Sequence, residues 1–221
     1  MDQEIVAQKQ NKVFKTSEGR ILCAGFGLSI ILIVIIGCYA FSDPVTARTL
    51  SLAFVAHTFG GRAAGIGLCI INGFSLFWTI AYNFYLEILI VFYTYSVFIL
   101  SINNYIRFKW VIRYTAKVMA QAAARKDQVE KYGWIGLFLF VMAPLPLTGP
   151  VVGSIIGYLL RLNVWRNFSA VFLGTLAAII GWVFCFDFLE AHLHIIQYVI
   201  AAIIGVVLLS YLKNIKDWFR K

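Results

Sequence analysis

The sequence predicts an all-α integral membrane fold: an inverted repeat of a re-entrant helical hairpin plus a transmembrane helix, with an additional span at each end and a cytoplasmic amphipathic helix. Three observations predict it. Of 221 residues, 61% are hydrophobic and 13% charged, with mean hydropathy +0.83, which excludes a soluble domain of this length. Three of the four prolines, Pro144, Pro146 and Pro150, fall inside one apolar run. The 19 Lys and Arg residues sort by loop, as the positive-inside rule requires, rather than forming the continuous basic patch of a nucleic-acid binder.

Taken in order, residues 1–20 form a basic cytoplasmic segment carrying Lys9, Lys12, Lys15 and Arg20, and the uncharged run 21–41 is long enough to span. Its length and its hydrophilic leader favour a retained span over a cleaved signal peptide. The run 50–71 is interrupted by Gly60 and Gly61 and is read as re-entrant hairpin 1, followed by a span over 73–102. Residues 104–131 hold seven basic residues. Here Ile106, Trp110, Tyr114 and Val118 recur every four residues beside Lys109, Arg113 and Lys117, the pattern of a helix lying on anionic lipid or packed on the membrane domain. The run 134–160 is broken by its prolines into halves of roughly 15 Å each, half a hydrocarbon core, and is read as re-entrant hairpin 2. Spans over 167–186 and 195–212 and a basic tail 213–221 complete a single membrane domain.

Parity links these readings. If all six runs crossed completely from a cytoplasmic N-terminus, the basic linker 104–131 would lie outside. If 50–71 and 134–160 each enter and return, every basic loop is cytoplasmic, both termini included, and the hairpins enter from opposite faces. Two short spans in place of either hairpin satisfy parity equally. The four cysteines, Cys23, Cys38, Cys69 and Cys185, form no ligand spacing and read as packing residues.

The chemistry that a membrane interior would notice is sparse. Arg62 follows the glycine pair at the first tip, where a guanidinium costs about 2.5 to over 10 kcal/mol unless paired or hydrated. A shallow hairpin would instead let it snorkel outward. Glu87 is the sole acid between Asp43 and Asp127, and is either the counter-ion of Arg62 or a proton carrier. The second tip offers backbone carbonyls, Thr148 and the amides of a half-helix from Val151, among Pro144, Pro146, Gly149 and Pro150; a helix start at mid-membrane favours an anionic group. Arg161 and Arg166 serve as cytoplasmic phosphate contacts or as anchors. His57 reads as a hydrogen-bonded packing residue, and His192 with His194 lack a third metal ligand. No catalytic set stands at useful spacing, so an enzyme is not expected; nor is a metal or a cofactor, beyond a proton that Glu87 could couple.

The stretch GLFLFVMAPLPLTGPVVGSIIGYLL, followed by RLNVWRNFSAVFLGTLAAIIGWV, resembles the small multi-drug export protein family, and more distantly the DedA group (the SNARE-associated, VTT-type membrane proteins). GGRAAGIGL stands where that family has an acid-x-Arg-Gly-Ala stretch, so its arginine maps onto Arg62 while its acid falls on Gly60, and Glu87 is the replacement. The resemblance implies a multi-pass inner-membrane protein with paired re-entrant hairpins and, through the DedA likeness, movement of lipid phosphates.

Together these readings give a transporter or translocase of an amphipathic or anionic substrate, drug-like or lipid-phosphate-like, held at Gly60, Gly61, Arg62, Glu87 and the second tip. The alternative is a scaffold that binds anionic lipid or a partner through its basic helix. Membrane lipids are the expected partners in either case, nucleic acid is not, and self-association is left open.

Overall fold

A computed structural model describes residues 16–103, 105, 108–143 and 149–191. The expected span 195–212 and the tail lie outside them, as do His192, His194, Pro144, Pro146 and Thr148. The described residues form eight helices and no strand. The chain divides into two compact units, Met1–Val183 and Phe184–Lys221. The contacts below belong to the first.

Helix α1 (Ser17–Ser42) starts where the Thr16 hydroxyl accepts from the Gly19 amide, and ends at Asp43. Asp43 immediately caps α2 (Pro44–Gly60): its carboxylate accepts from the Val45 and Thr46 amides and from the Thr46 hydroxyl, and these bonds, the hydroxyl's first, hold its pKa below the usual range. With a cap followed by proline at the first helical position, the helix begins at Pro44 and not at the expected Leu50. Gly61, at φ 81°, separates α2 from α3 (Arg62–Ile71). The two helices pack on one another along their length.

Helix α3 closes with a Schellman turn in which Gly73 takes φ 77°, its amide reaching the Ile70 carbonyl and that of Phe74 reaching Cys69. Ser75 then caps α4 (Leu76–Ile102), so the long helix starts three residues later than the sequence suggested. Helix α5 (Lys109–Glu130) lies on α7, α6 and α4. Its buried stripe is Val111, Thr115, Val118, Ala122 and Val129, while Trp110 and Tyr114 of the expected apolar face are exposed and Ile106 is outside the described residues. A strict period of four drifts around a 3.6-residue helix, so that stripe cannot remain on one face; spacings alternating between four and three can.

Helix α6 (Gly133–Met142) ends at Ala143, which is extended at φ −56° and ψ 140° because Pro144 follows. Helix α7 (Gly149–Leu159) begins two residues before the expected Val151, with Pro150 in its first turn, where a missing amide hydrogen costs nothing. It too ends in a Schellman turn: the Arg161 amide reaches Tyr158, the Leu162 amide reaches Gly157, and Arg161 takes φ 56°. The Asn163 side chain then accepts from the Arg166 amide to cap α8 (Val164–Ala191), which runs past the expected end at Phe186.

The core lies where α4, α6, α7 and α8 meet, with Phe98, Ile99, Leu137, Val141, Ile155 and Val171 buried together, and Phe92 stacked on Phe168 at 5.7 Å. Outside it, Phe26, Ile30, Ile33 and Val34 of α1 are more than half exposed, a contiguous apolar face too large to leave in water. Cys23, Cys38 and Cys185 are exposed as well, so of the four only Cys69 packs as expected.

Candidate functional site

Thr79, Asn83 and Glu87 occupy successive turns of α4 and are all buried, on the face turned toward α2 and α3. From α2 comes His57, one turn before the Gly60–Gly61 break; from α3 comes Arg62, one residue after it. His57 Nδ1 lies 2.8 Å from Asn83 Oδ1. One carboxylate oxygen, Glu87 Oε1, stands 3.6 Å from His57 Nε2 and 3.7 Å from Arg62 Nε. All three ionisable side chains are buried, with relative exposures of 2% for His57, 7% for Arg62 and 6% for Glu87.

The break explains how an arginine comes to lie inside. Gly61 reverses the chain within one residue, so Arg62 opens α3 with its side chain turned toward α4 instead of out along the hairpin axis. Gly65, one turn further on, leaves room for the cluster: a Cβ there would stand 2.6 Å from Asn83 Oδ1 and 2.8 Å from His57 Cβ. On the far side, a Cβ on Gly149 would stand 2.7 Å from Arg62 Nη2, so the guanidinium lies against the first residue of α7 and would have to shift for any larger residue there. Arg62 Nη1 and His57 Nε2 have no hydrogen-bond partner among the described residues.

A cavity of about 130 Å³ opens beside them, bounded by His57, Arg62, Glu87, Thr94, Tyr114 and Pro150. That space accommodates a few waters or a small anionic headgroup. Tyr114 of α5, half-exposed, borders the cavity, and its partial burial raises the phenol above the usual range, so it remains a neutral neighbour. A larger groove of about 740 Å³ between α1, α2 and α4 is lined by Leu32, Tyr39, Leu50, Trp78, Tyr82 and Tyr85 among others, with no charged side chain. Size alone would favour it; the chemistry is in the smaller cavity.

Of the residues singled out in the sequence, Gly61, Arg62, Glu87, Gly149 and Pro150 converge here, and Gly60 ends α2 next to them. Arg161 and Arg166 are exposed at the α7–α8 turn, away from the cavity lining. Sequence reasoning left out Asn83 and gave His57 a packing role. The signal that could have found both is the spacing of His57 five residues before Arg62, with Asn83 and Glu87 one turn apart on a single helix. Among the described residues no three His, Cys, Asp or Glu side chains are placed to hold a metal.

Three helices, α1, α4 and α8 over Val164–Phe186, are long and apolar enough to cross a membrane, and a buried ion cluster sits between shorter helices beside them. This defines a multi-pass helical membrane protein. The profile of the family described as "Putative small multi-drug export protein" matches residues 62–181, more than half the chain, and the chain belongs to that family. No curated protein and no solved structure matches it.

Proposed function

We propose that this protein is a membrane transporter or translocase whose paired hairpins, α2–α3 and α6–α7, are re-entrant and belong to an inverted repeat. In this reading the two tips meet at mid-membrane and hold an anionic or amphipathic substrate between Arg62 and the first turn of α7. The observation that carries it is the contact of Arg62 with Gly149: a cation from one tip lies against the start of the helix that leaves the other, with one guanidinium nitrogen unpartnered among the described residues. A helix start and a buried, incompletely satisfied guanidinium both favour negative charge. The matching Schellman turns at Gly73 and Arg161, each followed by a capped long helix, support the repeat.

The DedA-like resemblance adds lipid phosphates to the drug-like substrates that the family name suggests. The whole chain would form one domain of the inner membrane with both termini cytoplasmic, and exposed Lys109, Arg113 and Lys117 would rest on anionic headgroups. The test is uptake of decanesulfonate, an amphipathic anion, into proteoliposomes. Wild type is expected to exceed protein-free vesicles, Arg62→Ala to fall to their level, and Arg62→Lys to keep part of the rate. Equal uptake by wild type and Arg62→Ala, with both folded, would remove the assignment.

A further inference from the structure

We propose that His57 and Glu87 together hold one exchangeable proton, and that this proton and an anion at Arg62 bind as a coupled pair. The inference rests on the reading of Arg62 as an anion site. It starts from Asn83, whose side-chain nitrogen donates to the Thr79 carbonyl at 2.9 Å and lies 3.8 Å from the Cys69 sulfur. Those contacts orient the amide, so Oδ1 is the atom that faces His57 at 2.8 Å. An oxygen there accepts, and His57 Nδ1 therefore carries a hydrogen.

With Nδ1 protonated, a neutral imidazole presents a bare Nε2, and Nε2 faces Glu87 Oε1 at 3.6 Å. A lone pair and a carboxylate buried face to face repel one another. One added proton makes the pair attractive on either partner: His57 becomes a cation beside the carboxylate, or Glu87 becomes an acid donating to Nε2. The distance exceeds a direct hydrogen bond, and a small rotation or one water from the adjoining cavity bridges it.

Charge counting then links the proton to the anion. Arg62 and Glu87 cancel when His57 is neutral; the shared proton leaves the cluster at +1. Among the described residues the other groups facing it add no charge: Tyr114 from α5 and, through Asn83, Cys69 from α3 are neutral, Thr58, Ile90 and Thr94 do not ionise, and α7 contributes Pro150 and Val151. A monoanion at Arg62 is thus favoured by the protonated state, and by reciprocity anion binding draws a proton in. Rising pH removes the proton and releases the anion.

The experiment is titration calorimetry of decanesulfonate, a monoanion throughout the range used, into the full chain in phosphatidylcholine nanodiscs. Two buffers of different ionisation enthalpy count the protons taken up. For wild type, affinity is expected to fall about tenfold per pH unit on the alkaline side, with up to one proton taken up per anion. Glu87→Gln copies the protonated carboxyl, since its amide donates to Nε2 and removes the negative charge. It is expected to bind equally across the range and to take up none.

Binding that depends on Arg62 but not on pH overturns the coupling and leaves the anion site standing, as does undiminished proton uptake in Glu87→Gln. Absence of any binding that Arg62→Ala abolishes overturns both. Should Glu87→Gln fail to fold, ring 15N resonances of His57, in a chain with His192 and His194 changed to Gln, decide the case. A hydrogen on Nδ1 at every pH, with Nε2 in acid either gaining one or shifting as it accepts from the Glu87 acid, is the expected result; a bare Nδ1 beside a protonated Nε2 in the neutral ring, or an Nε2 resonance that does not move with pH, refutes it.

Discussion

In α2–α4 the short helix α3 ends at Ile71, the chain turns through Asn72, Gly73 and Phe74, and the next helix is capped by Ser75; in α6–α8 the short helix α7 ends at Leu159, the chain turns through Leu160, Arg161 and Leu162, and the next helix is capped by Asn163. The helices between these points match as well, 10 and 11 residues for α3 and α7, 27 and 28 for α4 and α8. The chemistry does not. The interval that carries Gly73 to Arg161 carries Glu87 to Thr175, Asn83 to Val171, Arg62 to Pro150 and His57 to Leu145. The two stretches share these turns and lengths, and the buried cluster of His57, Arg62 and Glu87 has no counterpart in the second. The second contributes backbone, with Gly149 thin enough for the guanidinium to approach. The shared frame is therefore architecture, and the ionisable groups of the site belong to one half.

The largest expected effect comes from placing the charge of the first half in the second. Thr175 is fully buried and its hydroxyl has no partner among the described residues. In Thr175→Glu a carboxylate would occupy that position with Arg62 already held by Glu87, at a cost of roughly 3 kcal/mol in a membrane interior. Thermal unfolding in detergent should show a strongly lowered midpoint or no folded protein. Wild-type stability would mean that the two halves are chemically interchangeable, and the asymmetric site would lose its basis.

How much of this could be read from the sequence follows from the range of the forces involved. The apolar runs and the glycine break at Gly60 and Gly61 were legible, and Arg62 and Glu87 stood out because a charge in hydrocarbon is costly; that the two meet, at 3.7 Å, came from the structure, since the sequence left Glu87 as either counter-ion or proton carrier. Helix ends were misplaced by two to six residues wherever a cap set them, as Asp43 and Pro44 do for α2. Asn83 was invisible since an amide in an apolar run carries no charge to notice; its importance arises only once Gly65 lets α3 approach closely enough for Asn83 to meet His57. On α5 the spacing of four led to Val118, which is buried, and to Trp110 and Tyr114, which are exposed, because each step of four drifts by part of a turn.

A smaller effect tests the packing that the halves share. In each, a glycine on the short helix makes room for an amide on the long one: Gly65 for Asn83, Gly157 for Asn167. A Cβ on Gly157 would collide with the Asn167 side-chain amide, which donates to the Ser154 carbonyl at 2.7 Å. Gly157→Ala should cost about 1–3 kcal/mol by overpacking. Gly27→Ala in α1, where a Cβ meets nothing within 4 Å, should leave stability unchanged or slightly raised. Equal unfolding midpoints for the two variants would show that close approach at Gly157 is not needed.

The smallest effect concerns the two turns. Gly73 and Arg161 occupy the same place in the Schellman motif, at φ 77° and 56°, a region costly to any residue with a Cβ. Arg161→Gly gives the second turn the chemistry of the first and should stabilise the protein by up to about 1 kcal/mol, a rise of a few degrees in the unfolding midpoint. Strain of this kind persists where a side chain is needed for something other than the fold. Arg161 is exposed and free to reach a headgroup, so the same variant should bind phosphatidylglycerol vesicles more weakly than wild type while unfolding later. If Arg161→Gly instead unfolds earlier, the arginine supports the turn itself and its assignment as a phosphate contact is withdrawn.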